Sequence, residues 1–248
     1  MKKLLVVYNI CGLDGDNTKD YLESLASIFS QNFRGFDVVV SSCMSNDACL
    51  DAIKNKFKKI KIFHTNFVAP VNVTFNNACM KSKELMGDYH GYLYIDSGIT
   101  FHDKNTFKTL YKFLKTKKYG MVSLHVDDDS GVAEWGISED IDTELPVGKA
   151  VNLHVQIWSK ELFDFYGRLM PDIFAGHCTE STFSFMCAAL KKKWLYTRTS
   201  SADHKTSLDG MSLGFSPHEW TRETSRPTFD HPFIVPSIVD RVCTEEAY

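Results

Sequence analysis

The sequence contains no C-x-x-C pair, no internal repeat, no excess of basic residues and no apolar run near the roughly 20 residues that a membrane-spanning helix needs. Each absence removes a class of protein. The seven cysteines, Cys11, Cys43, Cys49, Cys79, Cys178, Cys187 and Cys243, are scattered and odd in number. They suggest neither a zinc knuckle nor a disulfide framework, and a reducing, cytoplasmic setting is the expectation. With 28 Lys and Arg against 31 Asp and Glu, the formal charge is -3, which offers no footprint for nucleic acid or for an anionic membrane surface. Lys2 and Lys3 precede an apolar run, but that run stops at Asn9 and no small-residue cleavage site follows, so the segment reads as a strand and not as a signal peptide.

What is present is the composition of a globular chain, 44% hydrophobic and 24% charged over 248 residues. That length can bury one large core or two small ones, and disorder is not expected. Strand and helix patterns alternate. The short β-branched run KLLVVY suits a strand buried on both faces. NTKDYLESLASIFSQ follows with Leu22, Leu25, Ala26 and Phe29 at helical spacing and Asn17 or Thr18 as N-cap. FDVVVSS, NDACLDAIKNKF and KIKIFHT then read as strand, helix and strand. VNVTFNNACMKSKELM reads as a third helix, GYLYI as a fourth strand, NTFKTLYKFLKTKK as a helix and YGMVSLHV as a strand. Such a series predicts an open, mostly parallel sheet flanked by helices, in which ligands bind at the carboxyl ends of the strands.

Beyond Val126 the pattern loosens. DDDSGVAEWGISEDIDTELPVG is acidic and rich in turn formers, and reads as an irregular surface excursion. Three consecutive acids at Asp127 to Asp129 cannot all face one site, so a solvated turn is expected, with one of them near a bound ligand at most. KAVNLHVQIWS is a predicted strand, a helix starts at Lys160, TESTFSFMCAALKKKW is a further helix and WLYTRTS a closing strand. From Ala202 onward the chain reads as a lid or wrapping segment.

The stretch YLYIDSGITF places Asp96 directly after the fourth strand and then breaks the chain with Ser97 and Gly98. Asp and Gly favour turns for backbone reasons alone, yet an acid at the carboxyl end of a parallel strand is also where a ligand would be met. Two other residues carry the same ambiguity. Glu180 can act chemically or merely complement the dipole of the helix that it opens, with Thr179 as N-cap. His204 is either a solvated loop histidine or a ligand. Trp135 and Trp158 suit sugar stacking or the core.

The order of these segments resembles the family 2 glycosyltransferases, whose single-domain Rossmann-like fold is called GT-A. VVYNICGLDGDNTKDYLESLASIFSQNFRGFDVVVSS resembles that family's opening strand, Tyr-Asn turn, helix and second strand. NVTFNNACMKSK resembles its Ala-Arg-Asn helix without the arginine, and LYIDSGI falls where the family has its Asp-x-Asp metal motif. HCTESTFSFMCAALKKKWLY resembles the acceptor-side helix, and HKTSLDGMSLGF the segment whose histidine reaches back to the ion. The resemblance implies one GT-A domain over 1–217. Its nucleotide-sugar half would span about 1–126 and its acceptor half about 127–217, with a C-terminal wrapping segment at 218–248.

The resemblance also implies transfer of a sugar from a nucleoside-diphosphate sugar to a hydroxyl of a glycan or other acceptor, with inversion and with Mn²⁺ or Mg²⁺. Asp96 and His204 would be the metal ligands and Asp96 would also orient the donor. Glu180 would be the catalytic base. Tyr8, Asn9, Cys11, Ser42, Asn77, Ser97 and Gly98 would line the nucleotide-sugar pocket. The chain departs from the family at Gly98, where the second motif carboxylate is missing, and at Ser42 and Cys43, where acids usually meet the nucleoside. A sugar nucleotidyltransferase is an alternative, although NICGLDGDN lacks a full glycine-rich phosphate loop. A non-catalytic nucleotide- or carbohydrate-binding module of the same fold is another.

Overall fold

The first strand, β1 (Lys2–Cys11), is buried on both sides because Leu4, Val6, Tyr8 and Ile10 face one way and Leu5 and Val7 the other. A computed structural model of the protein describes residues 2–11, 17–43, 45–65, 71–127, 142–147, 151, 154–167 and 179–205. After β1 come α1 (Thr18–Phe29), β2 (Phe36–Cys43), α2 (Asp47–Lys56), β3 (Lys61–Thr65), α3 (Val71–Met86) and β4 (Tyr89–Ile95). The remainder is β5 (Ile99–Phe101), α4 (Thr106–Lys115), β6 (Tyr119–Val126), β7 (Thr143–Leu145), β8 (Val155–Ser159), α5 (Lys160–Tyr166), α6 (Thr179–Ala189) and β9 (Lys193–His204).

These nine strands form one sheet in the order β3-β2-β1-β4-β8-β6-β9-β5, with β7 paired to β9. The pairs β1–β2, β2–β3, β1–β4 and β6–β9 are parallel, and β8 joins β4 to β6 by antiparallel pairing on both sides. The expected mostly parallel α/β sheet is therefore present. Tyr21, Leu25 and Ile28 of α1, Leu50 and Ile53 of α2 and Phe107 and Leu110 of α4 cover one face. Phe75 and Cys79 of α3, Leu162 and Phe163 of α5 and Phe183 and Met186 of α6 cover the other. The chain steps outward from β1 to β3 and returns to β4 on the far side of β1, so the switch in strand order lies between the carboxyl ends of β1 and β4, where ligands of such sheets bind.

Three differences from the sequence reading bear on the site. The acidic excursion contains a strand: β7 pairs with β9, and Glu144 within it bonds Lys118 and Lys193 from the starts of β6 and β9. The short β5 follows the Asp96 turn immediately. And β9 runs on to His204 instead of ending near Ser200. It does so by bulging: Leu124 pairs with Thr197 and Val126 with Ala202, so residues 198–201 are looped out against a single residue of β6. The Asp142 carboxylate pins that bulge, accepting from the Arg198 amide and from the hydroxyls of Thr197 and Thr199. Trp158 is wholly buried against Phe75, Tyr94 and Phe183, so it is core and not a sugar-stacking surface. Trp135 and the wrapping segment lie outside the described residues. Among the described residues no helix is long and apolar enough to cross a membrane.

Helix α4 packs closely against the sheet at Gly91 of β4. A Cβ there would lie 2.7 Å from Leu114 Cδ1, 3.1 Å from Leu4 Cδ2 and 3.2 Å from the backbone oxygen of Trp158. Leu114 can yield, but the strand backbone cannot. Gly91→Val is expected to cost about 1–3 kcal/mol by overpacking, read as a lower denaturation midpoint at unchanged slope.

Candidate active site

Asp96 stands one residue beyond β4, and Ser97 and Gly98 turn the chain into β5. The turn reading of this stretch is met, and the turn presents the acid at the end of β4. Gly98 has φ +77°, a left-handed conformation that glycine adopts without the steric cost borne by a side chain, which accounts for glycine where the family motif has a second acid. Its amide donates to the Tyr8 hydroxyl at 3.4 Å and its carbonyl accepts from the Lys205 amide at 3.3 Å.

The Asp96 carboxylate is held from two directions. Its Oδ1 accepts from the Tyr94 hydroxyl at 3.1 Å and from the Ser97 amide at 2.9 Å. Its Oδ2 lies 3.6 Å from His154 Nδ1. His154 precedes β8, and its carbonyl accepts from the Asp96 amide at 2.9 Å, which extends the antiparallel β4–β8 ladder by one step. His204 ends β9 opposite Ile99, and its ring lies 4.4 Å from that of His154, tilted by 35°. One ligand atom from each of Asp96, His154 and His204 lies within 4.8 Å of the others, and all three residues are half-buried. A carboxylate and two imidazoles at that spacing are a donor set suited to a divalent cation. The structure thus brings Asp96 and His204 together and adds His154, which the sequence reading placed inside a predicted strand and did not single out.

The expected nucleoside-side residues are distributed less simply. Tyr8 is fully buried, and burial holds its phenol neutral by raising its pKa well above the usual range. Ser42 is fully buried too, and its hydroxyl bonds Ser45 at 2.7 Å and His64 Nδ1 at 3.1 Å. Asn9, His64 and Thr65 are the partly exposed side chains at the ends of β1 and β3, and Asn9 is fixed by Thr74 of α3, whose hydroxyl bonds its Oδ1 at 3.3 Å. Ser97 is buried beneath the turn and Asn77 is half-buried on α3. Cys11 ends β1 and Glu180 is the second residue of α6, but their side chains fall outside the described residues.

A second polar group lies on the face covered by α6, two residues beyond the Ser123–Gln156 pair that places β6 beside β8. His125 Nδ1 is 2.6 Å from the Tyr196 hydroxyl and its Nε2 accepts from Arg198 at 3.2 Å, with the Asp127 carboxylate 3.4 Å away. The guanidinium also packs over the Tyr196 ring, 5.7 Å from its centre. None of His125, Tyr196 and Arg198 has a spacing signal in the sequence, because the bulge in β9 is what assembles them.

No protein-family model matches the chain, and no curated protein matches it in sequence. Solved structures do match in fold. A mannosyltransferase from Pyrobaculum calidifontis, solved with GDP-Man and Mn²⁺, superposes with a TM-score of 0.64 at 13% identity, covering 98% of this chain and 74% of that one. The chain has a GT-A fold. S. aureus TarS residues 1–349, solved with UDP-GlcNAc, gives a TM-score of 0.67 at 15% identity over 98% of this chain and 71% of that one.

Lys205 fastens the end of β9 to α1, donating to Asp20 at 2.7 Å and to Glu23 at 2.9 Å. Those bonds raise the Lys205 pKa, Asp20 contributing most, and the bond from Lys205 holds Glu23 below its usual value. A depressed carboxyl stabilises above its unfolded pKa, about 4.3, and loses that contribution as pH falls through the lower folded value. A raised lysine stabilises below about 10.4 and loses its contribution as pH rises through the higher folded value. The clamp is therefore complete between about pH 4.5 and 10. Lys205→Met is expected to change global stability by less than about 1 kcal/mol, as exposed pairs do, while amide exchange at 202–205 accelerates at pH 7.

Proposed function

We propose that the protein is a glycosyltransferase that moves a sugar from a nucleoside-diphosphate sugar to an acceptor hydroxyl, with inversion. The observation that carries this reading is the meeting of Asp96 and two imidazoles at the carboxyl end of β4, beside the switch in strand order. Both neighbours described above were solved with a nucleotide sugar, one of them with Mn²⁺ as well, which supports the same reading.

In this proposal the nucleoside lies over the ends of β1 to β3, against Asn9, His64 and Thr65. Tyr8 and Ser42 act from below, Tyr8 by fixing the Gly98 turn and Ser42 by orienting His64. Asp96 and His204 would hold a divalent cation, which would supply positive charge where the departing diphosphate becomes more negative. Tyr94 and the Ser97 amide keep the Asp96 carboxylate aimed. Glu180, at the N-terminal end of α6, takes the proton from the acceptor hydroxyl. That oxygen bonds to the anomeric carbon as the bond to the diphosphate oxygen breaks, and the electron pair leaves with the diphosphate.

Binding is tested first by thermal shift with UDP, GDP, CDP, ADP and TDP, each with and without Mn²⁺, since a ligand that prefers the native state raises the midpoint by mass action. One nucleotide is expected to stand out, with a larger shift when Mn²⁺ is present. No shift with any of the five would count against a nucleotide-sugar enzyme. Glu180→Gln is expected to lower kcat by about 10²- to 10⁴-fold, the usual contribution of a positioned base, with donor affinity unchanged. An unaltered kcat would remove Glu180 from the mechanism.

A further inference from the structure

We infer that His154 is a third protein ligand of this ion site, replacing the carboxylate that Gly98 lacks, and that the resulting donor set favours a first-row transition cation over Mg²⁺. The inference deepens the transferase reading and rests on it only for the use to which the ion is put.

The missing ligand cannot be recovered from the motif itself. Gly98 has no side chain, and its amide and carbonyl are engaged by Tyr8 and Lys205. The next backbone able to reach Asp96 is β8, which the ladder bond between Asp96 N and His154 O brings alongside at 2.9 Å. The carboxylate itself is divided in use. Oδ1 is occupied by the Tyr94 hydroxyl and the Ser97 amide, which leaves Oδ2 as the ligand atom on the His154 side.

The spacing leaves room for a shared ion. His154 Nδ1 and Asp96 Oδ2 are 3.6 Å apart, longer than the 2.7–3.2 Å of a direct N–H···O hydrogen bond. Two donors on one ion with bonds of about 2.1 Å lie roughly 3.0 Å apart at an octahedral edge and 3.4 Å apart at a tetrahedral one. The His154 and His204 rings, 4.4 Å apart, lie on the same side of the Asp96 turn, and the three ligand atoms fall within 4.8 Å of one another. Donors on one ion at about 2.1 Å lie at most about 4.2 Å apart, so a small side-chain rotation brings these three onto a common centre.

Selectivity follows from donor type. Mg²⁺ is hard, keeps several waters and is held by carboxylates and phosphates, whereas imidazole suits Fe²⁺, Ni²⁺, Cu²⁺ and Zn²⁺, and Mn²⁺, although it also takes oxygen donors, accepts imidazole more readily than Mg²⁺ does. A site with two nitrogens and one oxygen gives up little with Mn²⁺ and much with Mg²⁺. Among the transition ions, affinity should rise from Mn²⁺ to Co²⁺ to Zn²⁺ in the ordinary order.

The test uses the full chain without any nucleotide, titrated with MnCl₂, CoCl₂, ZnCl₂ and MgCl₂ by calorimetry. Pulsed electron paramagnetic resonance then reads the nitrogen couplings of bound Mn²⁺. The expected result is one site, with Mg²⁺ at least about 100-fold weaker than Mn²⁺, and modulation from two imidazole nitrogens. His154→Ala should leave one nitrogen and weaken Mn²⁺ by about 10-fold or more. His154→Gln, which keeps the bulk, should lose the same nitrogen and serves where the alanine variant does not fold. Equal affinity for Mg²⁺ and Mn²⁺, or two nitrogens persisting in either variant, would overturn the inference. The nucleotide panel separates its failure from that of the transferase reading. Nucleotide binding with an unaltered nitrogen spectrum removes His154 as a ligand and leaves the transferase standing, while two nitrogens on Mn²⁺ without any nucleotide binding does the reverse.

Discussion

The hydrogen bond from the Asp96 amide to the His154 carbonyl, 2.9 Å long, is the constraint on which the rest of the site depends. It is the last rung of the ladder between β4 and β8, and β8 is the antiparallel strand that joins the parallel half β3-β2-β1-β4 to β6 and β9. Two parts of the sheet built from distant stretches of chain are thereby fixed in register. A one-residue slip in that register would send every side chain of β8 to the opposite face, drive the fully buried Trp158 out of its aromatic cluster and carry His154 away from Asp96. The core packing of Trp158 and the position of His154 are two consequences of one pairing.

A second constraint acts from below the Asp96 turn. Tyr8 lies in the core, its hydroxyl meeting the Gly98 amide, and Lys205 reaches the same turn from the end of β9 while its ammonium holds α1. The turn is thus gripped by β1, β9 and, through Lys205, by the first helix. Side chains carried on strand ends and braced in this way are more precisely placed than side chains on free loops. Three donors drawn from three strands need only small side-chain adjustments to meet a ligand.

The first half of the chain was legible because each element carries its own signal. The β-branched runs of β1 and β2 mark strands buried on both faces, and α3 occupies the stretch from Val71 to Met86 that its pattern indicates. Asp96 could be read as well, since a strong strand signal ends on it. The second half depends on pairings that no local pattern encodes. At three residues each, β5 and β7 are too short to show an alternation, and both exist because β9 pairs with them. His154 was invisible because it sits next to an apolar run that reads as the inside of a strand. His204 was legible as a residue type but not as a strand residue, since only the bulge at 198–201, pinned by Asp142, allows β9 to continue to it.

In the proposed ligand set, imidazole in place of carboxylate would have an electrostatic consequence beyond the choice of ion. A divalent cation with two carboxylate ligands carries no net charge, whereas with Asp96 and the two neutral imidazoles of the proposed set it retains one positive charge. Across the few ångströms that separate an ion from a bound diphosphate, one unit of charge amounts to about 4 kcal/mol at the effective dielectric of a partly exposed site. Much of that is offset by the cost of stripping water from the diphosphate. The remainder is attraction that grows as negative charge builds on the leaving group, which is when it accelerates the reaction and not merely the binding. On the proposed ligand set, a motif without its second acid does not by itself mark a decayed site. In the proposed set Asp96 would supply the one carboxylate and His154 and His204 the neutral donors, which would leave the ion more electropositive towards the group that departs.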